Sequence, residues 1–215
     1  EANQTNNISL KGSTAISGVT LDLTDAANTG DFIFTNVGTV TVTAEANNTT
    51  ATTITVDSDA AGTQGAMALS GSKNIVLHAD SDASAVTSSG FTGNLTATMS
   101  ATMKSITSGS GDDSITMYNG AMTLDAGAGD DTLVSTAIDL SDDTVSISGV
   151  EVISQTTVAT TFKVGQLSGT ETVTGTTGDL TITGTAAAAD TIDLSGFTNG
   201  LTQGTNLSGG FLKAT

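Results

Sequence analysis

Apolar residues alternate with Thr and Ser along most of the chain, and Gly, Asn or Asp interrupts the alternation after four to six positions. A period of two places successive side chains on opposite faces of a strand, so the pattern predicts short β-strands and an all-β fold. The clearest predicted strands are VTLDL at 19–23, VTVTA at 40–44, TITV at 53–56, NIVLH at 74–78, LTATM at 95–99, TVSIS at 144–148 and DLTIT at 179–183. Only residues 15–19, 81–89 and 186–189 leave room for a turn of helix.

The aliphatic centres of the predicted strands recur at a spacing of eight to eleven residues, which is the length of one strand plus one turn. Those centres are Met67, Ile75, Val86, Leu95, Ile106, Ile115, Leu124 and Leu133. Two such units would make one coil of roughly 18–20 residues. Because no linker, composition break or charge block divides the chain, we predict one continuous right-handed parallel β-solenoid over residues 1–215.

Two nine-residue units within residues 108–134 carry the candidate chemistry. SGSGDDSIT and AGAGDDTLV match the pattern Gly-Gly-x-Gly-x-Asp-x-aliphatic-x, except that Ser108 and Ala126 replace the first glycine. This pattern is the signature of a calcium-binding parallel β-roll. Six residues form a tight turn and three form a strand, so turns eighteen residues apart would stack on the same edge of the solenoid.

The predicted stacking brings together oxygen atoms that suit a hard cation. Asp113 and Asp131 are expected to share a calcium ion with backbone carbonyls, because calcium takes six to eight oxygen ligands. The carbonyls belong to Gly109, Gly111, Gly127 and Gly129. Glu151 and Glu171, twenty residues apart, are equally consistent with an interstrand ladder and with a calcium pair.

The two units resemble the RTX family of secreted bacterial repeat proteins, and the Thr-rich chain around them is similar to the crystalline surface-layer proteins of that family. The resemblance implies export by a type I system, folding on meeting external calcium and calcium-dependent lattice assembly. It also implies that Asp113 and Asp131 are side-chain ligands and that Asp112 and Asp130 are weaker candidates. Degenerate acidic turns at 141–145 and 189–194 add Asp142, Asp143, Asp190 and Asp193 as hypothetical ligands.

Charge and composition narrow the possible partners. The chain has 22 acidic residues against five Lys, a net charge of −17, and therefore lacks a basic face for nucleic acid. Such a large excess of negative charge is repulsive in a compact fold unless the charges are dispersed or neutralised by cations. No apolar run is long enough to span a membrane, and zero Cys excludes disulfides and thiolate metal sites. Aromatic residues make up only 3%, which predicts a narrow core in which Met99, Met103, Met117 and Met122 fill gaps.

Together these features predict a structural extracellular protein at a bacterial cell surface. We expect a calcium-dependent, self-assembling subunit of a surface layer or filament, with cell-surface polysaccharide as a further partner of regions outside this chain. The chain lacks a GxSxG elbow and the composition for an aromatic substrate pocket, so we do not expect an enzyme. Two alternatives remain open: a repeat module of a large RTX adhesin, and the calcium-binding tail of a secreted protease or lipase.

Overall fold

A computed structural model of the chain describes residues 8–23, 32–44, 52–57, 66–77, 83–135, 138–140, 144–155, 160–163, 166, 172–175, 180–183, 191–193, 201–203 and 211–213. Twenty-two β-strands lie within these ranges, and none of the described residues is in an α-helix. The described part of the chain therefore contains no helix that could cross a membrane.

Eleven strands form the first sheet, in which each strand neighbours the one from the adjacent coil. In order across the sheet they are β1 (Ile8–Ile16), β3 (Phe32–Val37), β5 (Thr52–Asp57), β7 (Ile75–Leu77), β9 (Leu95–Thr98), β11 (Ser114–Thr116), β13 (Thr132–Ser135), β16 (Val152–Gln155), β18 (Thr172–Gly175), β20 (Thr191–Asp193) and β22 (Phe211–Lys213).

Two shorter sheets are built from the strands in between. The second sheet contains β2 (Val19–Leu23), β4 (Thr39–Ala44), β6 (Ala66–Gly71), β8 (Ala85–Phe91), β10 (Ser105–Thr107), β12 (Met122–Asp125) and β15 (Val145–Ser148). The third contains β14 (Ile138–Asp139), β17 (Thr160–Lys163), β19 (Leu180–Thr183) and β21 (Leu201–Gln203). The chain reaches the third sheet through β14, in the same coil that still adds β15 to the second sheet.

Every strand pairing among the described residues is parallel, which confirms the predicted all-β parallel solenoid. The predicted strands also lie where the alternation placed them: β2 covers residues 19–23, and β9 and β15 differ from their predicted ranges by one residue. Residues 85–91 form β8, so the region that left room for a helical turn at 81–89 is mainly strand.

Register shows that coil length varies along the stack. Thr96 pairs with Ser114 and Ser114 pairs with Thr132, so these two coils are eighteen residues long. Thr132 pairs with Val152, so the next coil has twenty residues. The shortest coils thus contain the two glycine-rich units, where tight turns save residues.

The core is a narrow stack of small and aliphatic side chains between the sheets. The eight predicted aliphatic centres are all buried, with exposed fractions of 0–1%. The four methionines at 99, 103, 117 and 122 are at most 3% exposed and pack in the same cluster, as their predicted role in filling gaps requires. Strand alternation turns the intervening Thr and Ser outward, which leaves the core without buried charge along most strands.

Candidate metal site at the acidic turns

Two acidic turns, residues 108–113 and 126–131, lie on one edge of the solenoid. The first connects β10 to β11, and the second connects β12 to β13. Because β10 pairs with β12 and β11 pairs with β13, the second turn stacks directly on the first. The predicted stacking of the two units is therefore confirmed.

The glycines of these turns allow the backbones to touch. A Cβ atom on Gly127 would overlap the carbonyl oxygen of Gly109, and one on Gly109 would overlap the carbonyl oxygen of Phe91. Gly127 also has φ = 95°, a left-handed conformation that side chains disfavour. The N–H of Ala128 donates to the Gly109 carbonyl at 3.0 Å, and that of Ser110 donates to Phe91 at 3.0 Å. The turns are thus bonded to each other through their backbones.

An inner ladder of carboxylates joins successive coils. Asp113 Oδ1 accepts a hydrogen bond from the backbone N–H of Leu95 at 2.6 Å, eighteen residues earlier. Asp131 Oδ1 accepts in the same way from the N–H of Asp113 at 2.8 Å, and Glu151 Oε2 accepts from the N–H of Asp131 at 2.8 Å. Each inner carboxylate therefore accepts a hydrogen bond from a backbone N–H of the preceding coil, at or just before the start of a strand.

An outer ladder runs beside it with the opposite polarity. Asn74 Oδ1 accepts from the N–H of Asn94 at 3.0 Å, Asn94 Oδ1 from Asp112 at 3.1 Å, and Asp112 Oδ1 from Asp130 at 3.0 Å. These side chains reach forward to the next coil, whereas the inner side chains reach back. Two adjacent N–H groups of each acidic turn are thereby satisfied by side chains, as buried or semi-buried backbone donors require.

The inner carboxylates are buried although they are acidic. Asp113 is 2% exposed and Asp131 1%, whereas Asp112, Asp130 and Glu151 are exposed. The second oxygen of Asp113 accepts a hydrogen bond from the hydroxyl of Ser108. The second oxygen of Asp131, Oδ2, is buried and accepts no hydrogen bond from the residues that the structure describes.

Burial perturbs both inner carboxyls. It raises the pKa of Asp113 above its usual value, against the hydrogen bonds from Ser108 and from the N–H of Leu95. Burial also raises the pKa of Asp131 to about 6, and the negative charges of Asp113 and Glu151 add to the effect. An ionised Asp131 is therefore a destabilising charge that a bound cation would offset.

A cation at the acidic turns would have to take most of its ligands from main-chain oxygens and water. The described residues contain no group of three or more acidic, His or Cys side chains that could hold a metal by itself. Asp131 Oδ2 is the one carboxylate oxygen of the inner ladder that is buried and unpartnered among the described residues. Calcium accepts backbone carbonyls and waters beside carboxylates, so one or two carboxylates per ion suffice.

The structure brings part of the predicted ligand set together. Asp113, Asp131 and the four turn glycines stack on one edge, as the sequence predicted. Asp112 and Asp130 are exposed, and the carboxylate of Asp112 accepts the outer-ladder hydrogen bond from the N–H of Asp130. Asp193 ends β20, and nothing is described of its side chain. Asp142, Asp143, Asp190 and Glu171 lie outside the described residues. Their assignment as ligands or ladder members stays a prediction.

Sequence reasoning missed the outer ladder and the part played by Ser108. Asn74 and Asn94 occupy the same place before their strands as Asp112 does before β11, a signal that only the strand register makes visible. Ser108 departs from the glycine of the repeat pattern, yet its buried hydroxyl donates to Asp113. Glu151, for which a ladder and a calcium pair were both open, lies in the inner ladder.

Compared with known proteins, the chain matches no protein-family model, no curated protein and no solved structure.

Proposed function

We propose that this chain is a structural protein of a bacterial cell surface, a calcium-stabilised β-solenoid that works by self-association and not by turnover. One observation carries the proposal: Asp131 has a buried carboxylate oxygen without a hydrogen-bond partner among the described residues, at the place where two glycine turns stack. In a protein with a net charge of −17, a bound cation would stabilise the fold most at such a point, because it would offset a buried negative charge.

Asp131 would hold the ion through Oδ2, with carbonyls of the stacked glycine turns as further ligands. When bound, calcium supplies positive charge between two turns that otherwise bring Asp113, Asp131 and Glu151 into one ladder. Oδ1 of Asp131 keeps its hydrogen bond to the N–H of Asp113, so ligation and the ladder do not compete for the same oxygen.

The expected stabilisation depends on the calcium concentration outside the cell. Extracellular calcium modules have dissociation constants of roughly 10⁻⁴ to 10⁻³ M. A ligand present at a hundred times its dissociation constant stabilises the folded state by about 2.7 kcal/mol. The acidic turns would thus be less stable in a cytosol with little calcium and more stable at the cell surface.

Parallel stacking also supports association. The outer strand of a sheet presents unpaired N–H and C=O groups, and β1 and β22 hold the outer positions of the eleven-stranded sheet. A further coil, whether from flanking sequence or from another copy, extends the sheet without changing its geometry. This property favours a structural building block over the adhesin-module and enzyme-tail alternatives, which require no such assembly.

The test is a calcium titration of the purified chain from chelator to about 10 mM, a level above the expected dissociation constants. Thermal unfolding is followed by circular dichroism and assembly by electron microscopy. We expect calcium to raise the melting temperature and to produce ordered assemblies, and magnesium to do so weakly because it demands a more rigid octahedral shell.

Asp131→Asn is the informative variant, because the amide keeps an oxygen for the N–H of Asp113 and removes the charge. Asp125→Asn is the matched control, since Asp125 is an exposed acid at the end of β12. We expect Asp131→Asn to lose the calcium response and Asp125→Asn to keep it. A calcium response of equal size in both variants would show that the ion, if bound, does not bind at Asp131.

A further inference from the structure

The two acidic turns have the same glycines and aspartates but differ at two positions. The first turn has Ser108 and Ser110 where the second has Ala126 and Ala128. Ser110 and Ala128 are exposed, whereas Ser108 is 3% exposed and Ala126 is 1% exposed. Of the two exchanges of Ser for Ala, only the one at the first residue of the turn therefore lies in the interior of the protein.

The first residues of the two turns occupy the same place in the stack of coils. The N–H of Ser108 donates to the carbonyl of Asp125, which ends β12, at 2.7 Å. The N–H of Ala126 donates in the same way to Ser148, which ends β15, at 2.9 Å. Each first residue is thus bonded to the next coil and lies five residues before the inner aspartate of its own turn.

The inner aspartates of the two turns differ in the state of one oxygen. Oδ1 of Asp113 and Oδ1 of Asp131 both accept a backbone N–H of the preceding coil. Oδ2 of Asp113 also accepts a hydrogen bond from the hydroxyl of Ser108. Oδ2 of Asp131 is buried without a partner among the described residues, and Ala126 has no hydroxyl to donate. The exchange of Ser for Ala therefore accounts for the unpartnered oxygen.

A buried ionised oxygen needs a hydrogen-bond donor or a cation beside it, because an unpaired buried charge is destabilising. Ser108 supplies a donor from within the first turn, whatever ions the solvent contains. A hydroxyl that donates to the oxygen also occupies the lone pair and the space that a metal ion would need. In the second turn no such hydroxyl is present, so the oxygen can accept a ligand from solution.

We propose that the first residue of each acidic turn decides whether the inner aspartate of that turn is available to a cation: Ser108 keeps Asp113 closed, and Ala126 leaves Asp131 open to calcium. The inference rests on the proposed function and adds to it a residue that controls the site without being a ligand. Two turns with the same repeat pattern therefore have different roles. Asp113 joins the coils through hydrogen bonds, and Asp131 responds to calcium.

Ala126→Ser tests the inference most directly, because it gives the second turn the hydroxyl of the first. In chelator, we expect the melting temperature to rise, since the new hydroxyl donates to Oδ2 of Asp131. In calcium, a given rise in the melting temperature should need about ten times more calcium, because the ion must displace a hydrogen bond to a charged group. Thermal unfolding followed by circular dichroism, from chelator to about 10 mM calcium, measures both effects.

Ala128→Ser is the matched control, because it makes the same chemical change in the same turn at an exposed residue. Its N–H donates to the Gly109 carbonyl at 3.0 Å, and a hydroxyl on its side chain leaves this bond unchanged. We expect the melting temperature of Ala128→Ser in chelator and its calcium response to equal those of the unmodified protein.

Ser108→Ala makes the reverse change in the first turn. In chelator, we expect a lower melting temperature, because Oδ2 of Asp113 loses its hydrogen bond. Calcium should then raise the melting temperature by more than in the unmodified protein, since a second buried oxygen of the inner ladder has become available. Ser110→Ala, at an exposed residue of the same turn, is the control and should change neither value.

The outcomes separate this inference from the proposed function. If the unmodified protein responded to calcium and Ala126→Ser responded equally, the inference would be wrong and the proposed function would stand. If the unmodified protein did not respond to calcium, the calcium proposal would be wrong and the inference would fail with it. If Ala126→Ser did not fold, Ser108→Ala would decide: a calcium-dependent rise no larger than that of Ser110→Ala would overturn the inference.

Discussion

Two edges of the same coils hold their turns together by different means. On one edge, the acidic turns 108–113 and 126–131 stack through glycine backbones and two ladders of polar side chains. On the other edge, the methionine turns 99–104 and 117–121 bury Met99, Met103 and Met117 in the core. The first edge is therefore held mainly by hydrogen bonds of glycine backbones and polar side chains. The second is held mainly by apolar packing, beside backbone hydrogen bonds such as that from the N–H of Met99 to Thr116 at 2.9 Å.

This difference shows how a solenoid with few aromatic residues is stabilised. Packing of flexible methionines needs no bound ion and responds little to calcium or pH. The carboxylate ladder is expected to respond to pH, because Asp131 is buried and lies close to two other acids, and under the proposed function it responds to calcium as well. We therefore expect calcium concentration and pH to change the stability of the solenoid through the acidic edge.

Glycine substitutions should give the largest difference in the free energy of unfolding between the two edges. In Gly127→Ala, the new Cβ would overlap the Gly109 carbonyl at a residue with φ = 95°, so backbone must move. We expect a loss of about 4 kcal/mol in the free energy of unfolding, from combined clash and strain. In Gly120→Ala, on the methionine edge, φ = 151° also disfavours a side chain, but the new atom would lie 2.7 Å from Cε1 of Tyr118, a side chain that can rotate away. We therefore expect a smaller loss of about 2 kcal/mol, from backbone strain alone.

Urea unfolding of both variants in calcium measures the two losses. Gly90→Ala is the control for the substitution itself, because a Cβ at this exposed residue would contact nothing within 4 Å. Equal losses for Gly127→Ala and Gly120→Ala would contradict the view that only the acidic edge stacks backbone on backbone.

Substitutions of Asp113 should show the strength of the inner ladder. Asp113→Ala removes the acceptor for the buried N–H of Leu95 and for the Ser108 hydroxyl. An unsatisfied buried donor costs about 1–3 kcal/mol, so we expect a loss of about 2 kcal/mol. Asp113→Asn keeps an oxygen for Leu95 and should lose less than half as much.

Amide hydrogen exchange at Leu95 gives a local readout of the same ladder. We expect faster exchange of this N–H in Asp113→Ala and near-normal exchange in Asp113→Asn. If the Leu95 N–H were equally protected from exchange in the alanine variant, the Asp113 carboxylate would not accept its hydrogen bond in solution.

The strands could be predicted from sequence because alternation and burial depend on the same period. Residues such as Ile115, Leu124 and Leu133 repeat at nine residues, and each is buried at the centre of its strand. Glycine spacing likewise predicted the stacked turns, since only glycine permits backbone contact at Gly109 and Gly127. These features depend on residues that are close in the sequence, so a single sequence is enough to recognise them.

The ladders could not be predicted, because they depend on register between coils of unequal length. Asn74 and Asn94 are twenty residues apart, whereas Asn94 and Asp112 are eighteen apart, so no fixed period reveals the column. The repeat pattern identified Asp113 and Asp131 as acids of one edge, but it does not show that their carboxylates accept hydrogen bonds from the preceding coil. The third sheet was also unforeseen, since its first strand, β14, has only two residues and is too short for an alternating pattern to reveal.

The acidic edge should also show a pH dependence of its own. Asp131 has a folded-state pKa of about 6, above its ordinary value of 3.8, because burial disfavours the charged form. The stability that its protonated form contributes is fully present below about pH 4 and is lost as the pH rises through 6. Asp113, Glu151 and Asp112 are the acids whose charges surround it, and the raised pKa of Asp113 acts in the same direction.

In chelator, we therefore expect the melting temperature to fall between pH 4 and pH 6, and to fall less in Asp131→Asn. Calcium should reduce the fall, because it favours the ionised carboxylate that the proton otherwise neutralises. Asp125→Asn, which removes an exposed acid, should keep the slope of the unmodified protein. If Asp131→Asn and Asp125→Asn had the same slope in chelator, the titrating group would lie elsewhere, and burial of charge would no longer distinguish the acidic edge from the methionine edge.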